Sequence, residues 1–219
     1  MPKNIGSDAK QQAIADLIAK TTHDGDYYML LVGSSLLAIG AIFTDSIAVL
    51  IASMIIAPLA SPILGLGLGI VSGKVRLMLR SAILLIFSCV IALIIAVVIT
   101  AAFGSDRVPD HYISFDSNRH IAVAIAVVSG VIAAYGMVKP KVASAITGVA
   151  IAVSLMPPLV ATGVNYTNGD HTAAATAFSL FALNVVGILI ASVGTYLWFG
   201  MGGEYRAFIR KHAALDTIR

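Results

Sequence analysis

Ile55-Ile56-Ala57-Pro58-Leu59-Ala60-Ser61-Pro62-Ile63-Leu64-Gly65-Leu66-Gly67 and Ile151-Ala152-Val153-Ser154-Leu155-Met156-Pro157-Pro158-Leu159-Val160-Ala161-Thr162-Gly163 are two proline-and-glycine interruptions, each set inside a long apolar run. Pro62 and Pro158 stand 96 residues apart, and the same offset pairs Gly40 with Gly136, Gly73 with Gly169 and Gly104 with Gly200 without a gap. About one position in five is identical between 27–104 and 123–200, modestly above chance for so apolar a chain. Each half carries three apolar runs. An odd number of crossings per half obliges the second half to enter a membrane from the opposite side. Inverted repeats with corresponding broken helices point to a site at the bilayer midplane.

Working outward, six runs have the roughly twenty residues that a helix needs to cross a hydrocarbon core. They lie at 27–44, 47–72, 81–103, 121–138, 142–164 and 173–199. Composition agrees: 58% of residues are hydrophobic, 11% are charged, and the mean hydropathy is +0.94. Soluble domains carry about a quarter charged residues. The lone Cys89 excludes an internal disulfide framework and, inside an apolar run, reads as an inert thiol. The polar stretch before residue 27 has no signal-peptide pattern.

Charge predicts the orientation. Lys3, Lys10, Lys20, Lys74, Arg76, Arg80, Lys139, Lys141, Arg206, Arg210, Lys211 and Arg219 fall on one predicted side, and only Arg107 and Arg119 on the other. The positive-inside rule then places both termini in the cytoplasm. A prokaryotic inner membrane is the expected location, with the lipid bilayer as partner. The net charge of +3 is explained by these span-flanking anchors and calls for no nucleic acid. The expected organisation is a cytoplasmic segment at 1–26, a three-helix unit at 27–104, an external loop at 105–122, a second unit at 123–200 and a cytoplasmic tail at 201–219. Segments 8–20 and 205–218 are amphipathic, for the membrane surface or for a neighbouring subunit.

The interruptions have a definite chemistry. Proline cannot donate to the carbonyl four residues earlier. Pro58 would free the carbonyl of Met54 and Pro62 that of Pro58; Pro157 and Pro158 would free those of Val153 and Ser154. In hydrocarbon each unpaired group costs several kcal/mol, so it must meet protein, water or a ligand. Ser53 and Ser61 accompany the first break, and Thr147, Ser154 and Thr162 the second; Asn165 and Asn184 follow. Hydroxyls and freed carbonyls accept, while the start of a half-helix donates. Such a site would hold a small ion or a zwitterion. Gly67 and Gly163 follow the breaks at equivalent positions and would expose backbone to a ligand. The plainer alternative is that the kinks are structural and Asn184 is interhelical glue. Gly65, Gly69 and Gly73, with Ser88, Ala92, Ala96 and Thr100, form small-residue faces for close helix packing.

No Asp, Glu, Lys, Arg or His lies deep in a run, which argues against proton coupling through an intramembrane carboxylate. Nothing matches a nucleophile elbow, a zinc-protease helix or a phosphate-binding loop, so no enzyme activity and no cofactor is expected. The histidines and aspartates of 106–120 match no metal-ligand spacing, and no metal site is assigned.

The stretches 52–65 and 148–159 resemble the two signature stretches of domain-of-unknown-function family 389, hydrophobic membrane proteins of prokaryotes. The likeness runs from Leu30 to Phe199 and includes Ser129-Gly130 and the run holding Asn184. It implies an inner-membrane location and a role for both Pro/Gly stretches, and it implies no activity. The expectation is an all-α integral membrane protein of six transmembrane helices, arranged as two inverted three-helix repeats with broken second and fifth helices. It would pass a small ion or solute between those helices and would form a homo-oligomer. The rival expectation is a non-transporting scaffold or partner subunit.

Overall fold

Asp24 starts the first long helix by a side-chain cap: its Oδ1 accepts the Tyr27 N–H at 2.9 Å. That helix, α2, spans Gly25–Thr44 and follows α1, Ser7–Lys20. Asp45, at φ 51°, turns the chain in the left-handed conformation that Asp tolerates, and Ser46 caps the next helix. The remaining helices are α3 Ile47–Ile56, α4 Ala60–Ser72, α5 Val75–Phe103, α6 Arg119–Val138, α7 155–167, α8 His171–Phe199 and α9 Met201–Thr217. This computed structural model describes residues 6–21, 24–104, 119–139 and 155–217. Among the described residues it is all helical, without strands.

Three helices, α2, α5 and α8, are each long and apolar enough to cross a membrane. The pair α3–α4 passes the same test as one broken span, bent by 43°. The predicted run at 47–72 is thus interrupted where the sequence placed the interruption. The run predicted at 81–103 begins earlier, at Val75, with Lys74 at the N-cap position and Arg76 and Arg80 accommodated in the first turns. Most of the run at 142–164 and the loop at 105–118 lie outside the described residues.

The two longest helices coincide at the 96-residue offset. α5 and α8 have 29 residues each and start and stop at paired positions. Gly73, Gly104, Gly169 and Gly200 all have positive φ, the conformation glycine supplies without a Cβ clash. The closing hydrogen bonds repeat as well. Lys74 N–H donates to Gly69 C=O at 3.0 Å, and Asp170 N–H to Asn165 C=O at 3.0 Å.

α4 is the hub. It packs on α5 and α8 and also touches α1 and α9. α6 lies along α8, and α2 lies against α3 and α5. The buried face of α5 is the predicted small-residue face, Ser88, Ala92, Ala96 and Thr100, while Ile86, Phe87, Val90 and Ile94 face outward. Tyr27 crosses from α2 to α5 and shares a 2.7 Å hydrogen bond with Ser88 inside the bundle.

The first amphipathic segment is used differently from the surface-lying expectation. Ala13, Ile14 and Leu17 of α1 are buried within the molecule against the core. Lys10 Nζ donates to the carbonyl of Phe199 at the end of α8 at 2.9 Å and lies 3.8 Å from Glu204, whose carboxylate also accepts from Ser7 at 2.8 Å. A cation at a helix C-terminus is favourable, so this clamp holds the N- and C-terminal helices together at one end of the bundle.

Candidate functional site

Ala57 sits at φ −59°, ψ 124°, off the helical region. The cause is local: a residue before proline is pushed out of the α conformation, and Pro58 has no N–H for Met54 C=O. One residue further, Leu59 is helical again and α4 begins at Ala60. Pro62 therefore lies in the first turn of α4, where a missing N–H costs little. The Pro58 carbonyl accepts from the Ser61 N–H at 3.3 Å and the Ser61 hydroxyl at 3.2 Å. Pro58, rather than Pro62, makes this break. In the second half Pro157 and Pro158 fall in the first turn of α7, as Pro62 does in α4.

A cavity of about 470 Å³ opens on the break. Ile56, Ala57, Pro58, Ala60, Ser61 and Leu64 form one wall; Tyr27 and Leu30 of α2 and Met137 of α6 form another. Leu17, Ala19 and Lys20 at the end of α1, with Asp24 and Asp26, complete it. Lys20, Asp24 and Asp26 are exposed, so both signs of charge stand at the lining while Ser61 supplies a hydroxyl at the break. Apolar walls with a few convergent polar groups are the usual make-up of a small-molecule site.

The structure divides the predicted site residues. Pro58 and Ser61 line the cavity. Ser53, Met54 and Pro62 are buried in the helices beside it, and the Ser53 hydroxyl donates to Leu50 C=O at 2.7 Å. Pro157, Pro158 and Gly163 are buried in α7, and Thr162 donates its hydroxyl to Pro158 C=O at 2.7 Å. Asn184 is buried in mid-α8. Val153 and Ser154 lie outside the described residues, as does Thr147.

Gly67 and Gly163 are both close-approach positions. A Cβ on Gly67 would overlap the Ser192 hydroxyl of α8, and one on Gly163 would lie 2.6 Å from Ala96 Cβ of α5. Residues 67 and 163 are paired by the offset of 96, and so are 96 and 192. The first half's glycine meets the second half's long helix, and the second half's glycine meets the first half's. Reciprocal contacts of this kind are what a two-fold relation between like units produces.

Lys20, Asp24, Asp26 and Tyr27 were not singled out by the sequence. Asp24 was readable as a helix cap, but its place beside the break depends on α1 docking. Four buried polar atoms, Ser81 Oγ, Thr100 Oγ1, Asn165 Nδ2 and Tyr196 Oη, have no hydrogen-bond partner among the described residues.

Several helices long and apolar enough to cross a membrane, with a kinked pair among them, mark a membrane protein that is all helical among the described residues. The chain belongs to the family described as Domain of unknown function (DUF389), whose profile matches residues 54–190, taking in both Pro/Gly stretches and Asn184. It is also similar to an uncharacterised protein of the archaeon Methanocaldococcus jannaschii, with 29% identity over 198 residues. That match covers 87% of this chain and 59% of the relative, so the chain spans little more than half of the relative's length. No solved structure matches.

Proposed function

We propose that this protein moves a small ion or solute across a prokaryotic inner membrane, through the cavity at the α3–α4 break. The carrying observation is that cavity: about 470 Å³, reaching from charged residues at the bundle end to the Pro58 interruption. In this reading six spans form two inverted three-helix repeats. Coincident helix ends and the reciprocal Gly67–Ser192 and Gly163–Ala96 contacts support the repeat. Both termini are cytoplasmic, for the reason of charge given above, and the Lys10 clamp is consistent with their sharing a side. Exposed apolar faces on α5 and α6 leave area for a second copy of the chain.

The orientation has its own test. With Cys89 replaced, Thr44→Cys at the α2–α3 turn should react with an impermeant thiol reagent in intact cells, and Ala207→Cys on α9 should react only after permeabilisation. Equal labelling from outside would overturn the topology.

For the transport reading, ligand-dependent melting temperature of the purified protein, across alkali cations, divalent cations, halides and zwitterionic amino acids, is the measurement. One class should raise the melting temperature, and Ser61→Ala should abolish that rise while leaving the unliganded stability within about 1 kcal/mol of wild type. A ligand response that Ser61→Ala leaves untouched puts the site elsewhere.

The scaffold reading keeps one specific observation. Gly67 and Gly163 are filled by neighbours, and the Ser53 and Thr162 hydroxyls are bonded within their own helices, as packing kinks require. No response to any ligand class would favour it.

A further inference from the structure

A second cavity, of about 480 Å³, lies at the end of the bundle where α1, α5 and α9 meet. Lys74, Arg76 and Arg80 line it with Ile18, Leu77, Tyr205 and Ile209, and among the described residues no carboxylate does. We propose that this cavity binds the phosphate of an anionic membrane lipid.

The cations are placed for it. Lys74 is the N-cap residue of α5, and Arg76 and Arg80 are one helical turn apart, on the same face. All three are exposed, and among the described residues none of them takes part in an ion pair. No side chain caps the start of α5, so its first N–H groups add donors and the positive end of the helix dipole to the guanidinium forks. Tyr205 adds a phenol, protonated and able to donate, and burial moves its pKa further upward.

Phosphate chemistry has two sources, lipid and solute, and two observations favour lipid. At 29 residues α5 is about 43 Å long, against about 30 Å of hydrocarbon, so its basic start reaches the headgroup layer. Val75, Leu79 and Ile83, each close to half exposed or more, run as an apolar stripe beside Arg76 and Arg80. Ile18, Leu77 and Ile209 line the same cavity, which suits a glycerol–acyl junction and serves no purpose for a free phosphate.

The test is melting temperature of the detergent-purified full chain, titrated with dioleoylphosphatidylglycerol, dioleoylphosphatidylcholine, inorganic phosphate or glycerol 3-phosphate. Phosphatidylglycerol alone should raise it. Each cation near a membrane surface contributes about fivefold in association, so K74Q/R76Q/R80Q should need about a hundredfold more phosphatidylglycerol for the same rise. The three positions are exposed, and the variant should melt like wild type in phosphatidylcholine. K3Q/K139Q/K211Q removes the same charge from the side that the charge pattern assigns to the cytoplasm and should respond as wild type. Equal loss in that control would reduce the effect to bulk charge and overturn the proposal. An equal rise with inorganic phosphate or glycerol 3-phosphate would overturn the lipid assignment. No rise with phosphatidylglycerol would overturn both.

Discussion

Gly130→Val is expected to leave little folded protein. Gly130 is buried on α6 where that helix lies along α8, and a Cβ there would stand 2.8 Å from Ile188 Cα and 2.9 Å from Ile188 O. Those atoms are backbone and cannot rotate aside, so α6 must move away and open the interface. Overpacking costs typically about 1–3 kcal/mol, and a backbone-limited site with a β-branched residue falls at the upper end or beyond. Gly194→Ala is the matched control: it lies on exposed α8 surface with nothing within 4 Å of the new Cβ. Removing glycine's freedom there should stabilise by up to about 1 kcal/mol. Size-exclusion profile and melting temperature in detergent report both. Normal assembly of Gly130→Val would mean that α6 and α8 do not meet at this register.

Pro58→Ala is expected to have the largest effect on function. Alanine supplies an N–H for the Met54 carbonyl and releases Ala57 into the helical region. α3 and α4 can then join, with up to about 3 kcal/mol of local propensity available, and the 43° bend relaxes. Ala57, Pro58, Ala60 and Ser61 all line the cavity, so it should lose its wall. Accumulation and melting temperature should hold or rise while any ligand-induced melting shift and any flux disappear. Opposition of stability and activity is what strain at a site produces. Pro62→Ala should do far less, because the first turn of α4 leaves that N–H without a helical partner in any case. If Pro58→Ala fails to assemble, the kink is needed for packing and the scaffold reading gains. If it assembles and still responds to ligand, the site is not at the break.

The contrast between these two prolines marks where reading the chain stops being enough. Both were legible as helix interruptions, since proline's missing donor is a property of the residue itself. Which of them ends a helix and which begins one depends on the conformation of Ala57 and Leu59, and sequence spacing does not decide that. Gly67 and Gly163 make the same point: their equivalence is in the sequence, but that each is filled by the other half's long helix is not.

By itself, the sequence determined the class of protein, the interruption of the run at 47–72, the pairing of Gly73 with Gly169 and of Gly104 with Gly200, and the small-residue face of α5. These follow from hydropathy, backbone freedom and side-chain volume, which act over a few neighbouring residues. The tertiary structure alone decided that α1 docks through Ile14 and Leu17, with Lys10 on the end of α8. It also brought Lys20, Asp24 and Asp26 to the break and Tyr205 to Arg76 and Arg80. An amphipathic helix advertises that it will bury one face. Whether lipid, a second copy or its own chain covers that face depends on shape complementarity between segments far apart in sequence, and that arises only when the whole bundle packs.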